Sequence, residues 1–460
     1  GVLGVDSDNS FHIVIPSADS VLDGFTISGG YASKNFSDDR GKGSGIWAES
    51  SAFTVSKCTI TNNRSYQGGS AIYLKDANAT FIHCIFSSNF ADSTGSGGAA
   101  FIEDSNATFQ SCVFTSNSSG YAGGAIRWES SIGSMADCNL TQNRNTGSNG
   151  GGALYLENSP VSFERCLFME NSTSANNYGG AIKLISSSPS FTHCVFTRNS
   201  SQANSGGALY IDPLSSPTLS NNEFRFNSAG QFGGAIFSDG VALDFSGGLF
   251  LGNYANFGGG FYGQGAVSFT FSNTKIFGNE ANSSNSSSGG FAYFNTGVLS
   301  SSFVNCMISG NKSLGRNGVY RPKGATRFVN CSIAGNEAAD LGGITIMFSG
   351  DSIAMDNCII WGNSAGTAND VYVNSQTASA NYSLFNPSQS NGSISGANNI
   401  NSDPLFTDAD GPDNLYGTED DNLSLQSVSP AINQASDSVA NYPSSDILGR
   451  VRSADPDMGA

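Results

Sequence analysis

Apolar and polar residues alternate along most of this chain in short runs that return with a fixed period. One unit reads Gly151-Gly152-Ala153-Leu154-Tyr155-Leu156-Glu157 and then Phe163-Glu164-Arg165-Cys166-Leu167-Phe168-Met169-Glu170-Asn171. Each run has the period of two expected of a strand, and Gly, Ser and Asn fill the corners between runs. The closing Asn is a marker, found at Asn63, Asn89, Asn117, Asn143, Asn171, Asn199, Asn227, Asn253, Asn279, Asn311, Asn336 and Asn363. A repeat of this length with two or three short strands per unit predicts an all-β, parallel β-helix of about a dozen or more coils, roughly 26–28 residues each. Helical repeats are excluded, because no unit holds an apolar face of helix length. Coils should stack at about 4.8 Å, the spacing between strands. The marker Asn is expected in the left-handed region at a corner, with its side chain bonding along the stack.

Alternation separates the two faces of the first strand. Ile72 and Leu74, Ile126 and Trp128, Leu154 and Leu156 should point inward. The residues between them form an outward row: Trp47, Tyr73, Phe101, Arg127, Tyr155, Lys183, Tyr210, Phe237, Tyr262, Tyr293 and Tyr320. Beside it runs a second outward row that includes Glu49, Lys75, Glu103, Glu129, Glu157 and Asp212. An exposed aromatic stripe next to an acidic one makes a ligand platform, with Tyr73, Phe101, Arg127, Tyr155, Lys183 and Tyr210 as the binding residues. Tyr and Phe also favour strands and ladder on one another, so the same row reads equally as strand stabilisation. Arg127 and Lys183 with Glu103, Glu129 and Glu157 would supply the acid and base if the face were catalytic. A catalytic cleft there would need long loops, and the corners are short apart from 32–43 and 279–288.

Nine cysteines each precede a marker Asn by five residues, so all share one slot. Small inward-facing core thiols explain this better than a metal or redox site, and an odd number argues against a full disulfide framework. The three histidines do not form a ligand set, since His83 and His193 lie four coils apart. The formal charge of −17 argues against nucleic acid and anionic membranes as partners. No run is long and apolar enough to span a bilayer.

The repeat fades after Asn363, which divides the chain into a β-helix over 1–400 and a capping region over 401–460. Asp408, Asp410, Asp413, Asp420 and Asp421 crowd two turns of that region, an oxygen-rich pattern of the kind that binds Ca²⁺. Leu423, Leu425, Val428 and Ile432 are expected to close the end of the core.

Two resemblances follow from these residues. Gly124-Ala125-Ile126, Gly180-Ala181-Ile182 and the Phe114–Asn117, Phe168–Asn171 and Phe196–Asn199 segments resemble repeats of the chlamydial polymorphic outer membrane proteins. Those are surface adhesins with a β-helical passenger. Asp403-Pro404-Leu405-Phe406, Ser429-Pro430-Ala431-Ile432, Gly449-Arg450 and Asp457-Met458-Gly459-Ala460 resemble the choice-of-anchor region of secreted bacterial right-handed β-helix proteins, which implies a right-handed parallel β-helix here. Together they imply secretion, attachment at a cell surface, and adhesion or scaffolding with a polysaccharide or surface partner. A polysaccharide lyase or glycoside hydrolase on the same face is the alternative.

Overall fold

A computed structural model describes the chain except residues 1–10, 33–40, 175–176, 285–287, 316–317, 322, 342, 347–348, 375 and 454. It contains two compact units, Gly1–Thr218 with Asn227–Gly230, and Leu219–Phe226 with Gln231–Ala460. In both, each coil contributes a first strand, a second and a third strand joined by a bend, and a two-residue fourth strand. Strands pair in parallel with their equivalents in the next coil. The chain is a right-handed parallel β-helix of about 12 turns.

Corner chemistry explains the repeat. In the first unit the residue before each marker, among them Asn62, Ser88, Ser116, Gln142, Glu170 and Arg198, takes φ of 53–55°. The marker Asn itself does not occupy the left-handed region, contrary to expectation. Turning the chain one residue earlier sends the Asn side chain inward, where it is buried. There the carboxamide gives and takes along the stack. Asn143 Oδ1 accepts from Asn117 N (3.1 Å) and Nδ2 (3.0 Å), while its own Nδ2 donates to Phe114 O and Asn171 Oδ1. This ladder runs from Asn63 to Asn227 in the first unit and from Asn253 to Asn363 in the second.

The inward residues stack in register. Phe86 lies on Phe114 with ring centroids 4.5 Å apart, and Phe163 lies on Phe191 at 4.8 Å. In the second unit Phe245, Phe271, Phe303 and Phe328 form a continuous stack. All nine cysteines are free and buried, as the shared slot implied. Their Sγ atoms contact backbone carbonyls, as Cys112 does at Phe81 O and Gln110 O.

Residues 401–460 do not close the end of the core. They run back along the side of the second unit. Leu423 packs on Leu249, Leu251, Phe277, Met307 and Ala334, and Ala431 and Met458 pack on Ile359 and Leu384. Val428 is exposed. Bend asparagines hold the segment: Asn305 donates to Ser445 O, Asn330 to Gly459 O and Asn357 to Ser436 O. Tyr416 and Gly417 pass so close that a Cβ on Gly335 would sit 2.1 Å from the Tyr416 ring.

Candidate functional site

The outward row of the first unit rests on Ile46–Glu49, Ile72–Lys75, Ala100–Glu103, Ile126–Glu129, Leu154–Glu157, Ile182–Ile185 and Leu209–Ile211. Neighbouring strands pair without a register shift, which sets Phe101 opposite Arg127, Arg127 opposite Tyr155, and Tyr155 opposite Lys183. The expected inward set is buried throughout, with Trp128 packed edge-on against Phe109.

The row is not the exposed stripe that alternation suggested. Tyr73 is 0 % exposed, and Phe101 and Tyr155 are each 5 % exposed, while Arg127, Lys183 and Tyr210 are half-buried. Two causes act together. Rings and cations stacked at strand spacing cover one another's faces. The corner before each strand also closes over the row, so that a Cβ on Gly43 would meet Tyr73 Cβ at 2.8 Å. In the second unit Phe237, Tyr262 and Tyr293 stack face to face with Phe232 and Phe257 alongside. Tyr320 does not belong to the row. It pairs in register with Ala292 and packs inward against Phe294, Phe303 and Phe328, and Arg321 takes the register position next to Tyr293.

Corner residues complete the ladder. Lys42 Nζ donates to Tyr73 Oη (3.2 Å) and Glu103 Oε2 (3.1 Å), and Tyr73 Oη donates to Glu103 at 2.6 Å. Arg127 lies over the Phe101 and Tyr155 rings and pairs through Nη2 with Glu129 (2.8 Å) and Glu157 (3.2 Å). Its Nη1 reaches Ser96 Oγ, and its Nε is buried with no hydrogen-bond partner. Lys183 Nζ donates to Asn149 O at 2.7 Å and faces the rings of Tyr155, Tyr178 and Tyr210. Lys42, Ser96 and Tyr178 share a slot, each just before a glycine of a corner, and that spacing was the signal for them in the sequence.

Residues 44–250 match the family model for the right handed beta helix region. No curated protein matches the chain. The β-helix thereby fixes the setting of these side chains but no chemistry for them.

Burial pushes the Glu129 carboxyl above its ordinary value, against the pull of Arg127. Burial likewise raises the Tyr155 phenol and lowers the Lys183 ammonium. The structure thus brings together all five residues proposed for acid and base work, but holds Arg127 and the three carboxylates in ion pairs and Lys183 on the Asn149 carbonyl. Arg127 cannot give up its proton. Its two carboxylates share it, and Lys42 holds Glu103. Residues 33–40 and 285–287, within the two longer segments, lie outside the described residues.

Asp408, Asp410, Asp413, Asp420 and Asp421 serve other contacts or stand apart. Asp421 accepts from Ser309 Oγ and Gly417 N, both at 2.7 Å, and Asp413 accepts from Leu415 N. Among the described residues, no three or more His, Cys, Asp or Glu side chains gather as a metal site would require.

Proposed function

We propose that this β-helix is a secreted, surface-attached binding or scaffolding protein of the adhesin type, with a polysaccharide or another surface molecule as its partner. The observation that carries this reading is the mutual pairing of Lys42, Glu103, Arg127, Glu129 and Glu157. Groups that must take or release a proton in a reaction need freedom at the reacting atom. Here the cations and carboxylates stiffen a wall of strands. The low content of charged residues, 12 %, and the negative net charge suit a protein that meets neutral or cationic partners.

Incubation with acidic and neutral polysaccharides, with and without Ca²⁺, tests the reading. Retention without new reducing or unsaturated ends is the expected result. Product formation that disappears in Arg127→Ala would overturn it in favour of a lyase or glycosidase.

A further inference from the structure

The second strands of the first unit carry an outward row of hydroxyls: Thr54, Thr80, Thr108, Ser134, Ser162 and Ser190, paired in register from coil to coil. Asn78 and Asn106 flank it, one pleat earlier. None of these hydroxyls or carboxamides has a hydrogen-bond partner among the described residues. The neighbouring rows behave differently. Ser87 bonds Thr61 at 2.9 Å and Thr141 bonds Thr115 at 3.1 Å. In the second unit, Ser268 and Ser300, in the slot of Asn78 and Asn106, bond each other at 2.7 Å, while Thr270 and Ser302 continue the hydroxyl row. Unspent hydrogen-bonding capacity therefore runs along this strip.

That strip is also concave. A groove of about 350 Å³ crosses it, lined among others by Asp19, Thr54, Asn78, Thr80, Asn106 and Thr108. Its size lies within the range of ligand sites, about 300–1,000 Å³. Asp19 is the single charge in its lining. An anionic polymer finds no cation there, and a basic one finds a single carboxylate at one edge. Hydroxyls and carboxamides each donate and accept, which suits a ligand that is itself a dense array of hydroxyls. The row repeats at about 4.8 Å along the stack, so it fits a partner that is extended and periodic.

We infer that this groove and hydroxyl row bind a neutral polysaccharide laid along the coils. The inference rests on the binding reading above and moves the contact from the first-strand face to the second. With no ring face in the strip, each sugar contact is a hydrogen bond exchanged for one to water, and affinity comes from several coils acting at once.

Affinity electrophoresis of the full chain in gels containing hydroxyethylcellulose, galactomannan or dextran is the test. Retardation by at least one polymer is expected, with at least a tenfold loss of affinity in Thr54→Glu/Thr108→Glu. The shape-preserving variant Thr54→Val/Thr80→Val/Thr108→Val should lose affinity similarly while melting as the parent does. Glu337→Gln, in the second unit, should bind as the parent does. Retardation that survives both groove variants overturns the inference, as does retardation by none of the three. Binding of whole cells or proteins without retardation would remove this inference and leave the broader binding reading standing. Turnover of the polymer would remove the broader reading.

Discussion

Asn363 donates through Nδ2 to Oδ1 of Asp370 at 3.1 Å, and its backbone N reaches the same oxygen at 3.3 Å. Every earlier rung bonds to another carboxamide, so the ladder of the second unit ends on a carboxylate. Burial raises Asp370 to about 6, with the bonds from Asn363 opposing.

The sign follows from that direction. Between the ordinary aspartate range and about pH 6 the folded chain holds a proton that the unfolded chain has lost, so stability falls as pH rises through this window. Asp370→Asn keeps an acceptor and removes the buried charge. It should stabilise the second unit at pH 7 on the order of 2 kcal/mol and have little effect at pH 4. Thermal melts of both proteins across that range would show it, and equal differences at both pH values would refute it.

A mid-ladder rung should be costly to lose. Asn143→Ala strands the Asn117 backbone N–H, one Asn117 Nδ2–H and the Phe114 carbonyl inside the first unit, while Asn171 Oδ1 keeps the backbone N–H of residue 143. At about 1–3 kcal/mol for each unsatisfied buried group, a total loss of roughly 2–4 kcal/mol is expected after local relaxation. Denaturant unfolding measures it. A loss no larger than that of an exposed control such as Gln110→Ala would show that water replaces the rung.

Gly335 has φ of 64° and faces the Tyr416 ring. Gly335→Ala combines the cost of the left-handed conformation, about 1–2 kcal/mol, with a clash against the ring. The segment over 401–460 should become the first target of limited proteolysis, and a dye that reports apolar surface should bind as Leu249, Phe277 and Met307 are uncovered. Tyr416→Ala in the same chain should partly restore protection.

Arg127 neutralises two carboxylates that stand in register on adjacent strands. Arg127→Met leaves Glu129 and Glu157 facing each other and removes the charge that holds the Glu129 pKa down, so the damage should appear at pH 7 and fade as pH falls towards 4. Because these carboxylates are about a third exposed, the expected loss is on the order of 1 kcal/mol. A loss that does not change with pH would indicate packing on Phe101 and Tyr155 instead.

The fold was legible because a period and a period-two alternation are local properties, and parallel stacking makes them repeat. The face of the first strand was legible in its direction but not its exposure. Whether Tyr73 meets solvent depends on Lys42 and the Gly43 corner, which reach it from another coil. The path of 401–460 also left a mark that alternation alone does not interpret. The outward positions Thr61, Ser87, Thr115 and Thr141 become Leu251, Phe277, Ser309, Ala334 and Trp361 in the second unit, apolar at all but Ser309. The next residues change with them, from Ser88 and Ser116 to Gly278, Gly310 and Gly335. Apolar residues in an outward slot, followed by glycine, signal a covering segment. The unpartnered Thr54, Thr80 and Thr108 give no such signal, because bonded and unbonded threonines read alike in sequence.

A solenoid built from neighbour contacts alone can fray one coil at a time. The side-docked segment changes this for the second unit. Arg225 pairs with Glu419, 194 residues away, and Asn357 holds Ser436. Ties that reach several coils at once make those coils gain or lose order together, so this unit should unfold as one cooperative block with a single sharp transition. Its folding should also be slow, because residues 401–460 must find partners on coils as far back as Arg225, 194 residues before Glu419. The first unit has no such covering segment among its described residues, and its coils should exchange amide hydrogens with a gradient from the ends inward.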